Sequence, residues 1–150
     1  MKYQEEAAVD VIEEIIPLIE KHWEEIAINK DKISLSPDFE RYIDMNELGI
    51  LRIFTVRDEG ALVGYFLVVC TPHMHYKEHV FAMNDILYVA EHLRGTTVAY
   101  RLLRHVENVL AEEGISVLMI NMKCHAPFDR LLEGLGYTNT ERVYTKFIGE

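Results

Sequence analysis

Two cysteines, Cys70 and Cys124, are too few for a disulfide framework in a chain of 150 residues, so a reduced, cytoplasmic protein is expected. No apolar run approaches the ~20 residues that a helix needs to cross a bilayer, and no membrane association is expected. The opening Met1-Lys2-Tyr3-Gln4-Glu5-Glu6 has neither a basic n-region nor an apolar h-region, so no signal peptide is expected. Repeats, low-complexity tracts and interdomain linkers are absent, and the length suits one domain over residues 1–150 with a single core. Positive charge is scarce as well: 15 Lys and Arg stand against 25 Asp and Glu, a net charge of −10. That balance argues against a phosphate-tracking surface and hence against nucleic acid as a direct ligand.

What is present is globular in character, with 49% apolar and 27% charged residues. The acids are concentrated early. Residues 1–50 hold 13 acids and 5 bases, whereas residues 51–150 hold 12 and 10. Long-range attraction then favours a cationic partner or substrate, the alternative being a solvated acidic helix face.

From Glu5 to about Ala27 apolar residues recur at helical spacing: Ala8, Val11, Ile12, Ile15, Ile16, Ile19, Trp23 and Ile26. Pro17 lies inside the run and predicts a kink or a division into two helices. After a polar loop, Ser36 as N-cap and Pro37 at the first helical position predict a second helix ending near Gly49. Leu51 to Arg57 and Ala61 to Cys70 predict an antiparallel hairpin around Asp58-Glu59-Gly60. Residues 71–77 read as a loop and Val80 to Val89 as a strand. A helix over Ala99 to Glu113 is stopped by Gly114. Ser116 to Met122 reads as a short buried strand, Phe128 to Leu135 as a short helix, and Tyr137 to Ile148 as a last strand or hairpin. The strand–helix–strand crossover from 80 to 122 implies local parallel pairing, and the sum is a mixed α/β sheet with helices on its faces.

The most informative stretch runs from Asp85 to Leu103, where a strand ends near Val89, a polar loop follows and a helix begins at about Val98. Amides at a helix start lack intrahelical partners and point outward, and the helix dipole adds partial positive charge. A small-residue loop feeding that start is a phosphate site, with Thr96 and Thr97 as hydroxyl donors and Arg94 as charge. An ordinary crossover turn is the alternative on these grounds alone. Arg94-Gly95-Thr96-Thr97-Val98-Ala99, after Leu87-Tyr88-Val89-Ala90, resembles the coenzyme A pyrophosphate loop of GCN5-related N-acetyltransferases, whose pattern is Gln/Arg-x-x-Gly-x-Gly/Ala. Thr97 stands where that pattern has its middle Gly. Phe128-Asp-Arg-Leu-Leu-Glu-Gly-Leu-Gly-Tyr137 resembles the family's late motif, and element order is similar over about residues 1–148. The whole also looks like acetyltransferase-like proteins of tailed phages, for which the host cytoplasm would be the location.

The resemblance implies an α/β (α+β) fold with a mixed, mostly antiparallel central sheet of about six to seven strands and helices on both faces. It implies acetyl-coenzyme A as cosubstrate, no metal, and a small-molecule or protein amine as acceptor, with a homodimer allowed; the acidic helices favour a cationic amine, namely a lysine side chain, a protein N-terminus, a polyamine or an aminosugar, and the alternative is a catalytically weak coenzyme-binding or protein-binding module. The coenzyme would lie along Leu87, Tyr88 and Val89, on the 94–99 turn and near His125, with the Val89 amide close to the acetyl oxygen. Transfer would be direct, so a base must take a proton from the amine. Asp85, a carboxylate inside the strand VFAMNDILYV, is the first candidate, and Glu91 in the following loop is the second. Asp85 has as its alternative role a strand-edge acid paired with Arg. Leu132 occupies the place where many family members carry a general-acid Tyr; Tyr100, Tyr137, Tyr144 or water are the substitutes considered, each Tyr otherwise packing with its hydroxyl at the surface. His73, His75 and His79 give only a weak metal pattern, without a carboxylate or cysteine set. Cys70 and Cys124 read as inert core thiols.

Overall fold

One mixed sheet of five strands, in the order β1-β2-β3-β4-β5, organises the chain in the computed structural model, which describes residues 1–150. The strands are β1 (Lys2–Glu5), β2 (Leu51–Asp58), β3 (Ala61–His73), β4 (Tyr76–Val89) and β5 (Val117–Met119). The helices are α1 (Ala8–Ile26), α2 (Phe39–Glu47), α3 (Val98–Glu112) and α4 (Asp129–Gly134). Strands β1 to β4 pair antiparallel, and β5 runs parallel to β4 through the crossover that contains α3. The unbroken apolar run of β3 follows from its central place, since both its faces are covered. Val63, Phe66 and Val68 pack with Leu102, Leu103 and Val106 of α3. Tyr65 and Leu67 pack on the other side with Val11, Ile15 and Ile19 of α1. Full burial of each such side chain is worth about 1.5–3 kcal/mol.

Five strands are fewer than the resemblance implied, because residues 137–148 form none. Their β-prone side chains Val143, Tyr144 and Ile148 are 75%, 87% and 88% exposed, so no apolar face rewards an extended pairing. At the other end β1 replaces what the helical pattern would have started at Glu5. Its ladder with β2 is reinforced by ion pairs from Arg52 to Glu5 and from Arg57 to Glu6. Helix α1 passes Pro17 without dividing. The buried stripe Ala8, Val11, Ile12, Ile15 and Ile19 flanks the proline and outweighs a cost of about 3 kcal/mol. Helix α2 starts at Phe39 rather than at Pro37, because the Asp38 carboxylate, not Ser36, caps it by accepting the Arg41 N–H at 3.0 Å. The expected loop over 71–77 shrinks to a two-residue turn. Across that turn His73 stacks on Tyr76 and packs on Phe81, at centroid separations of 4.8 and 4.4 Å.

Candidate active site

Strand β4 parts from β5 almost as soon as they meet. The parallel ladder covers only Phe81 to Met83, opposite Val117 to Met119. Immediately beyond it the Asn84 side chain takes the place of a backbone rung. Its Oδ1 accepts the Asn121 N–H at 2.6 Å, and its Nδ2 donates to the Asn121 carbonyl at 3.1 Å. On the opposite edge the β3–β4 register shifts, pairing Leu67 with Ile86 but Val68 with Asn84, so Asp85 is the extra residue of a bulge. The bulge turns Asp85 to the face of α1 and α2, where its Oδ2 accepts the Tyr42 hydroxyl at 2.7 Å. Burial, with that hydrogen bond and the Asp85 charge, pushes the Tyr42 phenol well above its ordinary range, so Tyr42 remains a donor. Asp85 itself is exposed.

Past the bulge, β4 presents a free edge. Ala90 donates its N–H to Val63 of β3, so by alternation Leu87 and Val89 direct their backbone groups away from β3, toward the side where β5 has ended. Their side chains, like that of Tyr88, belong to the cores: Leu87 and Val89 under α3, and Tyr88 stacked on Tyr65 at 5.3 Å with His22 edge-on at 5.5 Å. Burial chiefly holds the His22 imidazole below its ordinary pKa; Glu25 opposes the shift and Arg94 adds to it.

A 3₁₀ turn over Glu91–Leu93 leads from β4 to the 94–99 turn. Gly95 has φ +77, which a glycine adopts without strain, and a Cβ placed on it would meet nothing within 4 Å. Thr97 stands at the N-cap position of α3 without a side-chain hydrogen bond, at φ −79, an ordinary value, so a threonine is accommodated where the family pattern has glycine. The Thr96 hydroxyl donates to Leu93 O at 2.6 Å and accepts from the Val98 N–H at 3.3 Å, fixing the turn. The amides of Gly95, Thr97, Ala99 and Tyr100 donate to no protein acceptor, while Val98 turns its side chain into the core. Unpaired donors at a helix start are of the kind that suits an anion. Arg94 is partly committed: its Nε donates to Val89 O at 2.9 Å, and one Nη lies 2.8 Å from Glu25.

Glu91 lies beyond the strand end, exposed and 3.7 Å from Lys21, and is not brought beside Asp85. Lys21, Tyr88, Ala90, Glu91 and His92 line an open cleft there. His125 is exposed beyond β5 without a hydrogen-bonded partner. No three His, Cys, Asp or Glu gather to hold a metal; His75 N–H donates to His73 Nδ1, and His79 meets Ser116. Cys70 is half-buried, with burial raising its thiol pKa, but Cys124 is exposed rather than a core thiol. Leu132 packs against the α3 core. Tyr100 and Tyr144 are exposed; the Tyr137 hydroxyl is instead buried, close to Glu107 and about 14 Å along α3 from its first turn. Sequence reasoning missed Tyr42 and the bracket made by Asn84, since neither a helix-face tyrosine nor a strand asparagine signals a partner 43 or 37 residues away.

A mixed α/β sheet whose parallel strands part beside a helix start with unpaired amides is the frame of the candidate site. The Acetyltransferase (GNAT) family profile matches residues 15–137, and the chain belongs to that family. It is thus an acetyltransferase, with acetyl-coenzyme A as cosubstrate. A ribosomal-protein-alanine N-acetyltransferase from Brucella melitensis biovar Abortus 2308 superposes with a TM-score of 0.72 at 19% identity, over 99% of this chain and 100% of that one. A predicted acetyltransferase from Clostridium acetobutylicum, solved with acetyl-CoA, gives 0.74 at 14% identity over 98% and 96%. Glucosamine-6-phosphate N-acetyltransferase from Arabidopsis thaliana gives 0.74 at 12% over 99% and 98%. No curated protein matches the chain. The narrower likeness to phage proteins finds no support in these similarities. No helix is long and apolar enough to cross a membrane.

Proposed function

We propose that the chain transfers the acetyl group of acetyl-coenzyme A directly to a primary amine that is cationic at neutral pH, with Asp85 as general base. The observation that carries this reading is the exposed carboxylate of Asp85, oriented by Tyr42 at the bulge where β4 leaves β5. An alkylammonium must lose a proton before it can attack, and Asp85 is positioned to accept it. The C–N bond then forms as the C–S bond breaks; the amine's second proton leaves to solvent, and the departing thiolate takes a proton from solvent. The Val89 amide orients the thioester carbonyl, and the amides of Gly95, Thr97, Ala99 and Tyr100, with Arg94, hold the diphosphate. Acceptors of the similar enzymes range from a protein alanine to an aminosugar phosphate. The acidic first third of this chain supports a cationic acceptor.

Thiol release measured with a panel of amines tests the reading. Asp85→Asn should lower kcat by about 100-fold while leaving the KM for acetyl-coenzyme A unchanged; unaltered turnover would remove Asp85 as base. Arg94→Glu should abolish most of the thermal shift that acetyl-coenzyme A produces in the native protein. A specific observation favours a second reading, a coenzyme-binding module with weak catalysis: Leu132 sits in the core where a proton donor is common, and the Tyr137 hydroxyl is buried at a distance. A full thermal shift without thiol release for any amine would establish that second reading.

A further inference from the structure

The face to which the bulge turns Asp85 carries a cavity of about 290 Å³ between α1 and the segment joining it to α2. Its walls are mainly Ile19, Trp23, Ile33, Leu35, Pro37 and Ile86, with Ser34 and Ser36 as the polar part of the lining. Tyr42 also lines it, and its hydroxyl donates to Asp85 Oδ2 at 2.7 Å, so Tyr42 stands between the cavity and the carboxylate. A second hydroxyl lies on the same side: Tyr65 is wholly buried there, its OH has no protein partner, and its phenol is raised by burial with Tyr88 and Tyr42 nearby. Apolar carbon predominates in this wall, so most of the further polar groups of a polyamine or a polyol would lose water there without gaining a partner.

We propose that this pocket selects a monoamine with an apolar or aromatic body, seated with its ring against Trp23 and Ile86 and its amino group at Asp85. This rests on the reading of Asp85 as the site of amine acetylation, but it can be tested apart from it. Trp23 is the only tryptophan, so its emission reports directly on the pocket. Titration with 2-phenylethylamine, without acetyl-coenzyme A, should give a saturable change in Trp23 emission, whereas spermidine and glucosamine at equal concentration should give none. In thiol-release assays kcat/KM for 2-phenylethylamine should exceed that for the other two by about tenfold or more. Ile33→Gln alters a wall residue that is 51% exposed, so the fold should persist; it should weaken 2-phenylethylamine binding about three- to tenfold. Selective saturation of Trp23 emission without turnover of any amine would sustain the pocket and defeat the catalytic reading. Turnover that falls in Asp85→Asn but favours spermidine or glucosamine would sustain the base and overturn the pocket, as would an equal emission response to all three amines.

Discussion

The role proposed for Asp85 depends on one inserted residue. Without the bulge, strict alternation along β4 would give it the opposite face from Ile86; with it, both approach the α1–α2 side, and the carboxylate meets Tyr42. A charged residue in an otherwise apolar strand stood out in the sequence, but its partner did not, because Tyr42 belongs to a helix with an ordinary amphipathic pattern. The hydrogen bond gives Tyr42 a positioning role that is separable from packing. Tyr42→Phe keeps the ring against the core and removes the hydroxyl, so kcat should fall about three- to tenfold with little change in melting temperature. A split between kcat and KM separates orientation from structure: kcat should fall in Tyr42→Phe while the KM for acetyl-coenzyme A stays unchanged. An unchanged kcat would leave the pair without a catalytic role. The 94–99 turn was more legible, since a positive-φ glycine before a helix start needs only local geometry.

Among the elements, the long central strands and α3 could be read from hydrophobic period alone, whereas β1 could not. Four residues with two charges show no strand signal, and what holds β1 is long-range: the ladder to β2 and the clusters around Arg52 and Arg57. Glu6 is the centre of the second cluster. Burial would raise its carboxyl, but hydrogen bonds from Arg57, Thr55 and Gln4 outweigh this and bring its pKa from 4.5 down to about 2. A folded-state pKa below the unfolded one contributes stability that is complete above the unfolded value and disappears as pH falls through the folded value. The native protein should therefore lose stability between about pH 4.5 and about pH 2. Glu6→Gln should be less stable by about 1–2 kcal/mol at neutral pH, after allowance for the partial exposure of the cluster. Urea midpoints across this range check it: the native and variant curves should converge toward the acid end, and parallel curves would show that Glu6 contributes nothing through its charge.

At the scale of the whole molecule, the sheet would keep the two proposed sites apart. The α3 side and the free edge of β4 hold the turn proposed for the coenzyme, while the acidic α1–α2 side holds Asp85 and the pocket proposed for the amine. The last segment touches the second of these: Lys32, on the loop that walls the pocket, lies 5.1 Å from the Phe147 ring centroid. Residues 137–148 read as strand because Tyr137, Val143, Tyr144, Phe147 and Ile148 are β-formers, yet β-propensity is mainly a preference for a half-buried surface, and most of these side chains are exposed. The cation–π contact with the loop then matters more to the pocket than to stability, being worth about 0.5–1 kcal/mol at an exposed site. Removal of residues 139–150 should lower the melting temperature by no more than about 2–4 °C. It should raise the KM for the amine about threefold, corresponding to the lost contact with the loop, and leave the KM for acetyl-coenzyme A unchanged. A collapse in melting temperature would make the segment part of the folding core, and an unchanged amine KM would detach it from the acceptor side.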